Sequence, residues 1–124
     1  MLVVRRAQLD ALGEPRRLEF VERTARHLAR FFPERCAALG EEEVKAAVQH
    51  GIRRAAAHGF TTERDVCKYI DLMFLFGWDF DRGERWAAET LAQSAPAAER
   101  LEALFDRAMR RASRAPGIQP RVRR

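Results

Sequence analysis

The strongest constraint on the fold of this chain is one apolar stretch near its middle. Apart from Lys68 and Asp71, every residue from Val66 to Phe76 is apolar or aromatic. Wound as a helix, the stretch keeps no polar face after Asp71. A helix that is apolar on all sides must be surrounded by protein. The stretch therefore predicts one central helix, buried by the rest of the chain.

Capping residues predict where this helix begins and ends. Thr61 or Thr62 can cap its N-terminus, and Glu63 and Asp65 follow in the first turn, where the helix dipole favours anions. Gly77 follows Phe76 and predicts the C-terminal end.

Apolar residues spaced by three and four predict further helices on both sides. Leu18, Val21, Ala25, Leu28 and Phe32 predict the buried stripe of a first long helix. A similar stripe in the next long helix consists of Val44, Val48, Ile52 and Ala55, with small neighbours Ala47, Gly51 and Ala56 that permit a close helix contact. No segment alternates with the period of a strand. The predicted helices are Ala7–Leu12, Pro15–Phe31, Glu34–Leu39, Glu41–His58, the central helix, Glu84–Gln93 and Ser94–Ala112.

These patterns predict an all-α fold, a compact bundle of five to six helices around one central buried helix. A length of 124 residues suits one domain, which we place at residues 1–112. Residues 113–124 contain Pro116, Gly117 and Pro120, and we expect a disordered, arginine-rich tail there.

The positive charge of the chain belongs to its C-terminal end. The formal net charge is +5, yet no acidic residue follows Asp106, and seven arginines do. Without those seven, 16 basic residues face 18 acidic ones, a net charge of −2. The body is therefore slightly acidic, which does not favour nucleic acid as a partner.

Several features argue against a membrane or secreted protein. No apolar run approaches the roughly 20 residues that span a bilayer. The first residues place arginines after a short apolar patch, the reverse of a signal peptide. Cys36 and Cys67 lie beside apolar residues in predicted helices, as reduced packing thiols do. We expect a cytoplasmic protein.

No catalytic, metal or cofactor motif emerges from the residues. Asp79 and Asp81 match positions one and three of an EF-hand calcium loop. That loop needs an oxygen ligand at position five and glycine at position six, whereas here Gly83 and Glu84 occupy them, so the motif fails. We expect a solvated turn in which Asp79 or Asp81 caps the following helix. Neither serine lies in a glycine-rich elbow. We expect no cofactor, no metal and no enzymatic activity.

The histidines and one helical turn suggest weak alternatives. His50 and His58 lie eight residues apart and share a helix face, but lack further ligands at metal-binding spacing, so surface or capping roles are expected. His58-Gly59-Phe60-Thr61 resembles the turn of a helix-turn-helix, but the following helix presents a net charge of −1 on its polar face. A packed helical hairpin fits better than a DNA reader.

More aromatic residues surround the turn after the central helix than a turn requires. Of two alternatives, pure packing is favoured, and exposure of part of this set for a protein partner is the second. The predicted partner-binding residues are Trp78, Asp79, Phe80, Asp81 and Trp86.

Six short motifs between Phe31 and Leu91 carry a resemblance that covers about half of the chain. They are Phe31-Phe32-Pro33, Gly51-Ile52-Arg53-Arg54-Ala55, His58-Gly59-Phe60, Glu63-Arg64-Asp65-Val66, Tyr69-Ile70-Asp71-Leu72-Met73-Phe74 and Gly77-Trp78-Asp79-Phe80-Asp81. With these motifs the chain resembles a family of small all-helical bacterial proteins of unassigned activity, encoded near type VI secretion effectors and spike proteins. Members usually keep Gly, Asp, Phe and Asp around the last turn and often Pro-Trp-Ala nearby, whereas here Arg85 precedes Trp86.

The resemblance implies a genomic setting and no catalytic residue. On that basis we expect a non-enzymatic accessory protein that binds a secreted effector or a spike component as adaptor or chaperone. Two alternatives stay open: an immunity protein that inhibits a neighbouring toxin, and a non-specific nucleic-acid binder acting through the basic tail.

Overall fold

The fold is all-α, as predicted. The computed structural model describes residues 13–114, which form seven helices and no strand. None of these helices combines the length and the apolarity needed to cross a membrane. The helices are α1 (Glu14–Phe31), α2 (Pro33–Leu39), α3 (Glu41–Ala57), α4 (Glu63–Phe76), α5 (Phe80–Gly83), α6 (Arg85–Leu91) and α7 (Ala97–Arg114).

Helix α4 is the centre of the bundle, which confirms the main prediction. It contacts α1, α3, α5 and α7. The Thr62 hydroxyl accepts a hydrogen bond from the Asp65 backbone N–H at 3.2 Å, and Gly77 ends the helix with a φ of 117°. Because L-residues rarely adopt that conformation, glycine is favoured at the exit. The buried residues of α4 are Val66, Tyr69, Ile70, Leu72, Met73, Phe74 and Leu75.

Helices α3 and α4 cross at close range at Gly51. A Cβ atom on Gly51 would lie 2.5 Å from Ile70 Cγ1 and 2.9 Å from Met73 Sδ. Those distances are too short for real carbon and sulfur contacts, so the crossing requires a residue without a side chain. The predicted α3 stripe is confirmed, because Val44, Val48, Ile52 and Ala55 are all buried.

The buried face of α1 differs from the predicted stripe. Leu18 is 49% exposed, whereas Phe20 and Thr24 are buried beside Val21 and Leu28. The prediction is confirmed at Val21, Leu28 and Phe32, and Ala25 is partly buried. It is wrong at Leu18. Helix α1 packs mainly on α3 and α2 and has a smaller contact with α4. Among the small residues of α3, Ala56 is exposed and does not take part in the close crossing.

Two predicted boundaries also change. Residues 80–83, predicted as part of a turn, form the short helix α5. Helix α7 continues to Arg114, past the predicted domain end at residue 112. The predicted helix Ala7–Leu12 and residues 115–124 of the predicted tail lie outside the described residues.

Candidate functional site

The turn after α4 places the predicted site residues between the central helix and α6. Gly77 redirects the chain, Trp78 and Asp79 follow, and α5 leads into α6 at Arg85. Helix α6 begins at Arg85, where the resemblance described above led us to expect a proline. The Phe80 carbonyl oxygen accepts a hydrogen bond from the Glu84 backbone N–H at 3.0 Å, and this bond ends α5. The turn is thus a short helical corner rather than an open loop.

The five predicted partner-binding residues divide into two groups. Phe80, Asp81 and Trp86 are buried, with 2%, 3% and 4% of their surface exposed. Trp78 is half-buried, and Asp79 is exposed. In this structure only Trp78 and Asp79 offer side-chain surface to another molecule. That either binds a partner stays a prediction.

Aromatic stacking accounts for most of the surplus aromatic residues. The Phe80 ring lies 5.1 Å from the Tyr69 ring, and the Trp86 ring meets Phe76 edge-on at 5.1 Å. The Trp78 indole packs on Phe74, with 4.8 Å between ring centroids. Pure packing, the alternative favoured above, therefore explains Phe80 and Trp86.

Asp81 is the polar centre of the corner, and neither predicted role fits it. Its side chain has no solvent exposure. Its Oδ2 atom accepts hydrogen bonds from Arg54 Nε at 3.0 Å and from Arg54 Nη2, and lies 2.8 Å from His58 Nε2. Asp81 is not a solvated turn residue, and neither Asp79 nor Glu84, the residues before α5 and α6, makes a side-chain cap hydrogen bond. The carboxylate instead ties α5 to α3.

The surroundings keep Asp81 ionised. Burial alone would raise the pKa of this carboxyl group, but hydrogen bonds from His58 and Arg54 outweigh it and lower the pKa below its ordinary value. The pKa of the Tyr69 phenol is raised, mainly by burial and to a smaller extent by the nearby Asp81 charge. At neutral pH the pair is therefore a carboxylate beside a protonated phenol.

Two polar atoms of this cluster have no hydrogen-bond partner among the described residues. They are the Tyr69 hydroxyl and the second carboxylate oxygen, Asp81 Oδ1. Both are buried, and they are near enough for the Asp81 charge to act on the Tyr69 pKa. All the hydrogen bonds to the carboxylate converge on Oδ2, so its hold on α3 depends on Arg54 and His58.

A row of polar side chains on α3 faces the corner. His50, Arg54 and His58 follow one another at intervals of four residues, so they share a face. His50 Nε2 lies 3.6 Å from Asp79 Oδ1, while Arg54 and His58 bind Asp81. The expected shared face of the two histidines is confirmed, but His58 is an ion-pair partner rather than a surface or capping group.

Sequence reasoning missed Arg54 as a member of this cluster. The available signal was its position midway between His50 and His58, on a helix whose adjoining face is apolar. What sequence spacing does not show is that Asp81 would turn inward to meet this row. That orientation depends on α5, whose helical turn places Asp81 on the side facing α3.

A second histidine–carboxylate pair lies where α1 meets α4. His27 Nε2 is 2.9 Å from Asp71 Oδ1, and this hydrogen bond raises the pKa of His27. Cys67, one turn before Asp71, is a free thiol, and burial raises its pKa to about 11. A thiol with that pKa stays protonated at neutral pH and is a poor nucleophile.

The polar side chains of the corner and the His27–Asp71 pair link neighbouring helices. Within residues 13–114, no group of three or more histidine, cysteine or acidic side chains is placed to hold a metal ion. The helix after the turn resembling a helix-turn-helix is α4, which is packed on by four other helices and has no free face for a DNA groove. The polar cluster fastens the corner, and Trp78 and Asp79 lie on its outer side.

The comparisons with known proteins found no relative of this chain. No family model matches it, and no curated protein or solved structure is significantly similar to it.

Proposed function

We propose that this protein is a non-enzymatic accessory protein of a bacterial type VI secretion cluster. It binds a secreted effector or a spike component as an adaptor or chaperone. The setting rests on the resemblance of residues 31–91 described above. The binding role rests on the corner after α4, which is fastened from inside and carries an accessible tryptophan and carboxylate.

The observation that supports this proposal is the contrast between neighbouring residues of the corner. Asp81 is fully buried and bound by Arg54 and His58. Two residues earlier, the Asp79 side chain is 60% exposed, and Trp78 retains part of its surface. Because Trp78 packs on the buried Phe74, part of its side-chain freedom is already lost before a partner binds, which reduces the entropy cost of binding. Rigid aromatic anchors are typical of binding hot spots.

Co-purification with the neighbouring gene products is the direct test. Each product is co-expressed with the tagged full-length chain, and complexes are isolated at micromolar concentration. We expect one effector or spike component to co-purify with the native chain. If none of these products co-purifies, the proposal is wrong.

Variants locate the surface within the same assay. Trp78→Ala and Asp79→Asn should each reduce the amount of bound partner. Leu18→Ala and Asp106→Asn are matched controls, because Leu18 is an exposed apolar residue on α1 and Asp106 is an exposed carboxylate paired with an arginine on α7. Equal loss with controls and site variants would exclude the corner as the surface.

The identity of the partner separates an adaptor from an immunity protein. An adaptor should bind its cargo without changing the cargo's activity. An immunity protein should protect cells that express the captured toxin, and Trp78→Ala should abolish that protection. Growth of toxin-expressing cells with and without the native chain distinguishes the two roles.

A further inference from the structure

We infer that the Trp78–Asp79 surface recognises a cationic side chain of its protein partner, with the guanidinium group of an arginine as the best fit. The inference deepens the proposed function and rests on it, because it names the chemistry of the partner at that surface. Three features of the corner carry it: a fixed aromatic ring, an incompletely paired carboxylate, and an internal arginine already beside that carboxylate.

The Trp78 ring is held in place by the core residue on which it packs. Its indole packs on Phe74 at 4.8 Å and an interplanar angle of 48°, and Phe74 has no solvent exposure. Phe74 is itself wedged against Phe32 at 5.7 Å. A tryptophan supported in this way keeps a defined orientation while part of it faces solvent. Tryptophan is the aromatic residue that binds cations best.

Asp79 follows Trp78 in the chain, and its carboxylate lacks a close ionic partner. His50 Nε2 is 3.6 Å from its Oδ1 atom, and Arg82 Nη2 is 3.8 Å from the same atom. Both distances exceed an ordinary charge-assisted hydrogen bond of about 2.7–2.9 Å. The carboxylate therefore retains capacity for a stronger donor. Asp81 is the opposite case, since Arg54 and His58 already bind it closely.

Arg82 shows which chemistry this carboxylate attracts. Its side chain is 67% exposed and approaches Asp79 from three residues further along the chain. An exposed pair of this kind contributes little and is easily exchanged. A partner arginine would make two contacts: a hydrogen bond to the Asp79 carboxylate and a cation–aromatic contact with the Trp78 indole. Arg82 makes one weak contact, with the carboxylate. Arg82 then acts as an internal competitor for the same site.

The opposite assignment is that the partner is acidic and binds Arg82 itself. Arg53 and Arg85 are also exposed in neighbouring elements, so the surrounding charge permits it. The two assignments predict opposite effects of one substitution. Removing the Arg82 guanidinium frees Asp79 for an external cation, and it deletes the anchor of an external anion.

The test uses the full chain and short capped peptides. The probe is an acetylated and amidated Gly-Arg-Gly peptide, and matched probes carry citrulline, which is neutral and nearly the same shape, or aspartate. Binding is followed by NMR through the indole N–H signals. The chain contains two tryptophans, so the indole signal that remains in Trp86→Phe belongs to Trp78. If the Trp86→Phe variant does not fold, the signal that disappears in Trp78→Phe gives the same assignment.

The arginine peptide should shift the Trp78 signal in a saturable way, and the citrulline and aspartate peptides should not. Asp79→Asn should weaken the binding about two- to fivefold, the range of an exposed cation–aromatic or ion-pair contact. Arg82→Ala should tighten it, whereas the control Asp106→Asn should leave it unchanged.

Three results would overturn the inference: no shift with the arginine peptide, equal shifts with citrulline, or weaker binding in Arg82→Ala. These results are separable from a failure of the proposed function. If the peptide does not bind but Trp78→Ala still abolishes co-purification, the function stands and the cation assignment is wrong. If the peptide binds and no neighbouring gene product co-purifies, the cation assignment stands and the proposed function is wrong.

Discussion

Helix α3 contacts the rest of the molecule through two chemically different sides. On one side, Gly51 lets α3 approach Ile70 and Met73 of α4 with no room for a methyl group. On the adjoining side, Arg54 and His58 hold the buried carboxylate of Asp81 on α5. The first contact depends on size and the second on charge, so substitutions should disturb them in different ways.

The charged side should show the largest effect. Arg54→Ala leaves the buried Asp81 carboxylate with His58 as its one close partner. We expect a loss of about 3 kcal/mol in the free energy of unfolding, the lower end for breaking a buried ion pair, because Arg54 is itself 25% exposed. Urea unfolding measures this loss, and Arg53→Ala, the exposed neighbour, is the control.

A double substitution then tests whether charge is the cause. Arg54→Met combined with Asp81→Leu removes both charges and replaces the ion pair with an apolar contact. Such replacements of a buried ion pair are often neutral or stabilising. We expect the double variant to recover at least half of the loss seen in Arg54→Ala. A double variant as unstable as the single one would mean that shape rather than charge governs this side.

The apolar side should respond to one added methyl group. Gly51→Ala places a Cβ 2.5 Å from Ile70 Cγ1, and overpacking of this kind costs about 1–3 kcal/mol. The better helix propensity of alanine returns up to about 1 kcal/mol, so we expect a net loss of about 1–2 kcal/mol. Gly83→Ala is the matched control, because nothing lies within 4 Å of its added Cβ. A stabilised Gly51→Ala variant would contradict the close crossing.

The His27–Asp71 pair between α1 and α4 should make stability depend on pH. The Asp71 hydrogen bond raises the pKa of His27 above 6.5, against the opposing effect of burial. The protonated form is therefore favoured by folding. Its contribution is complete below the unfolded pKa and is lost as the pH rises through the folded pKa. For this partly exposed pair we expect at most about 1 kcal/mol.

The measurement compares the native chain with His27→Gln at about pH 5.5 and about pH 8.5, on either side of the histidine range. The difference in unfolding free energy should be larger at the lower pH. His50 and His58 are present in both chains, so their contributions cancel. A difference that grows with pH would show that the sign is wrong.

The smallest effect should come from an exposed ion pair on α7. Arg110 and Asp106 lie one turn apart, with side chains 58% and 63% exposed. Arg110→Ala should change the unfolding free energy by less than about 0.5 kcal/mol, because water and salt screen such pairs. A loss comparable to that of Arg54→Ala would remove the distinction between buried and exposed charge on which this comparison rests.

Much of the fold could be predicted from periodic patterns. The uninterrupted apolar run of α4, the Thr62 cap and the Gly77 exit predicted the central helix to within two residues at each end. The α3 stripe was also correct. Spacing predicts which residues share a face, but not how far that face is rotated toward each neighbour. For this reason Leu18 was wrongly expected inside and Phe20 was missed.

The sequence predicted where the candidate site lies in the chain, but not which of its side chains are buried and which are exposed. Aromatic and acidic residues clustered in the sequence marked the corner after α4, and the eight-residue spacing of His50 and His58 marked the facing row. The burial of Asp81 could not be predicted in this way. A lone aspartate in a polar turn is ordinarily solvated, and it is buried only where cations from another element offset the cost of removing it from water.

The helices and their order follow from local chemistry, because caps, periodicity and helix-breaking residues act over one or two turns of the chain. The roles of Asp79 and Asp81 follow from contacts across 23 or more residues of sequence. Only after α3 and α5 pack together does Asp81 meet Arg54 and His58, and only then is Asp79 left outward beside Trp78. Two aspartates two residues apart become a fold anchor and a candidate recognition group, because packing gives Asp81 the hydrogen bonds of Arg54 and His58 and leaves Asp79 in solvent.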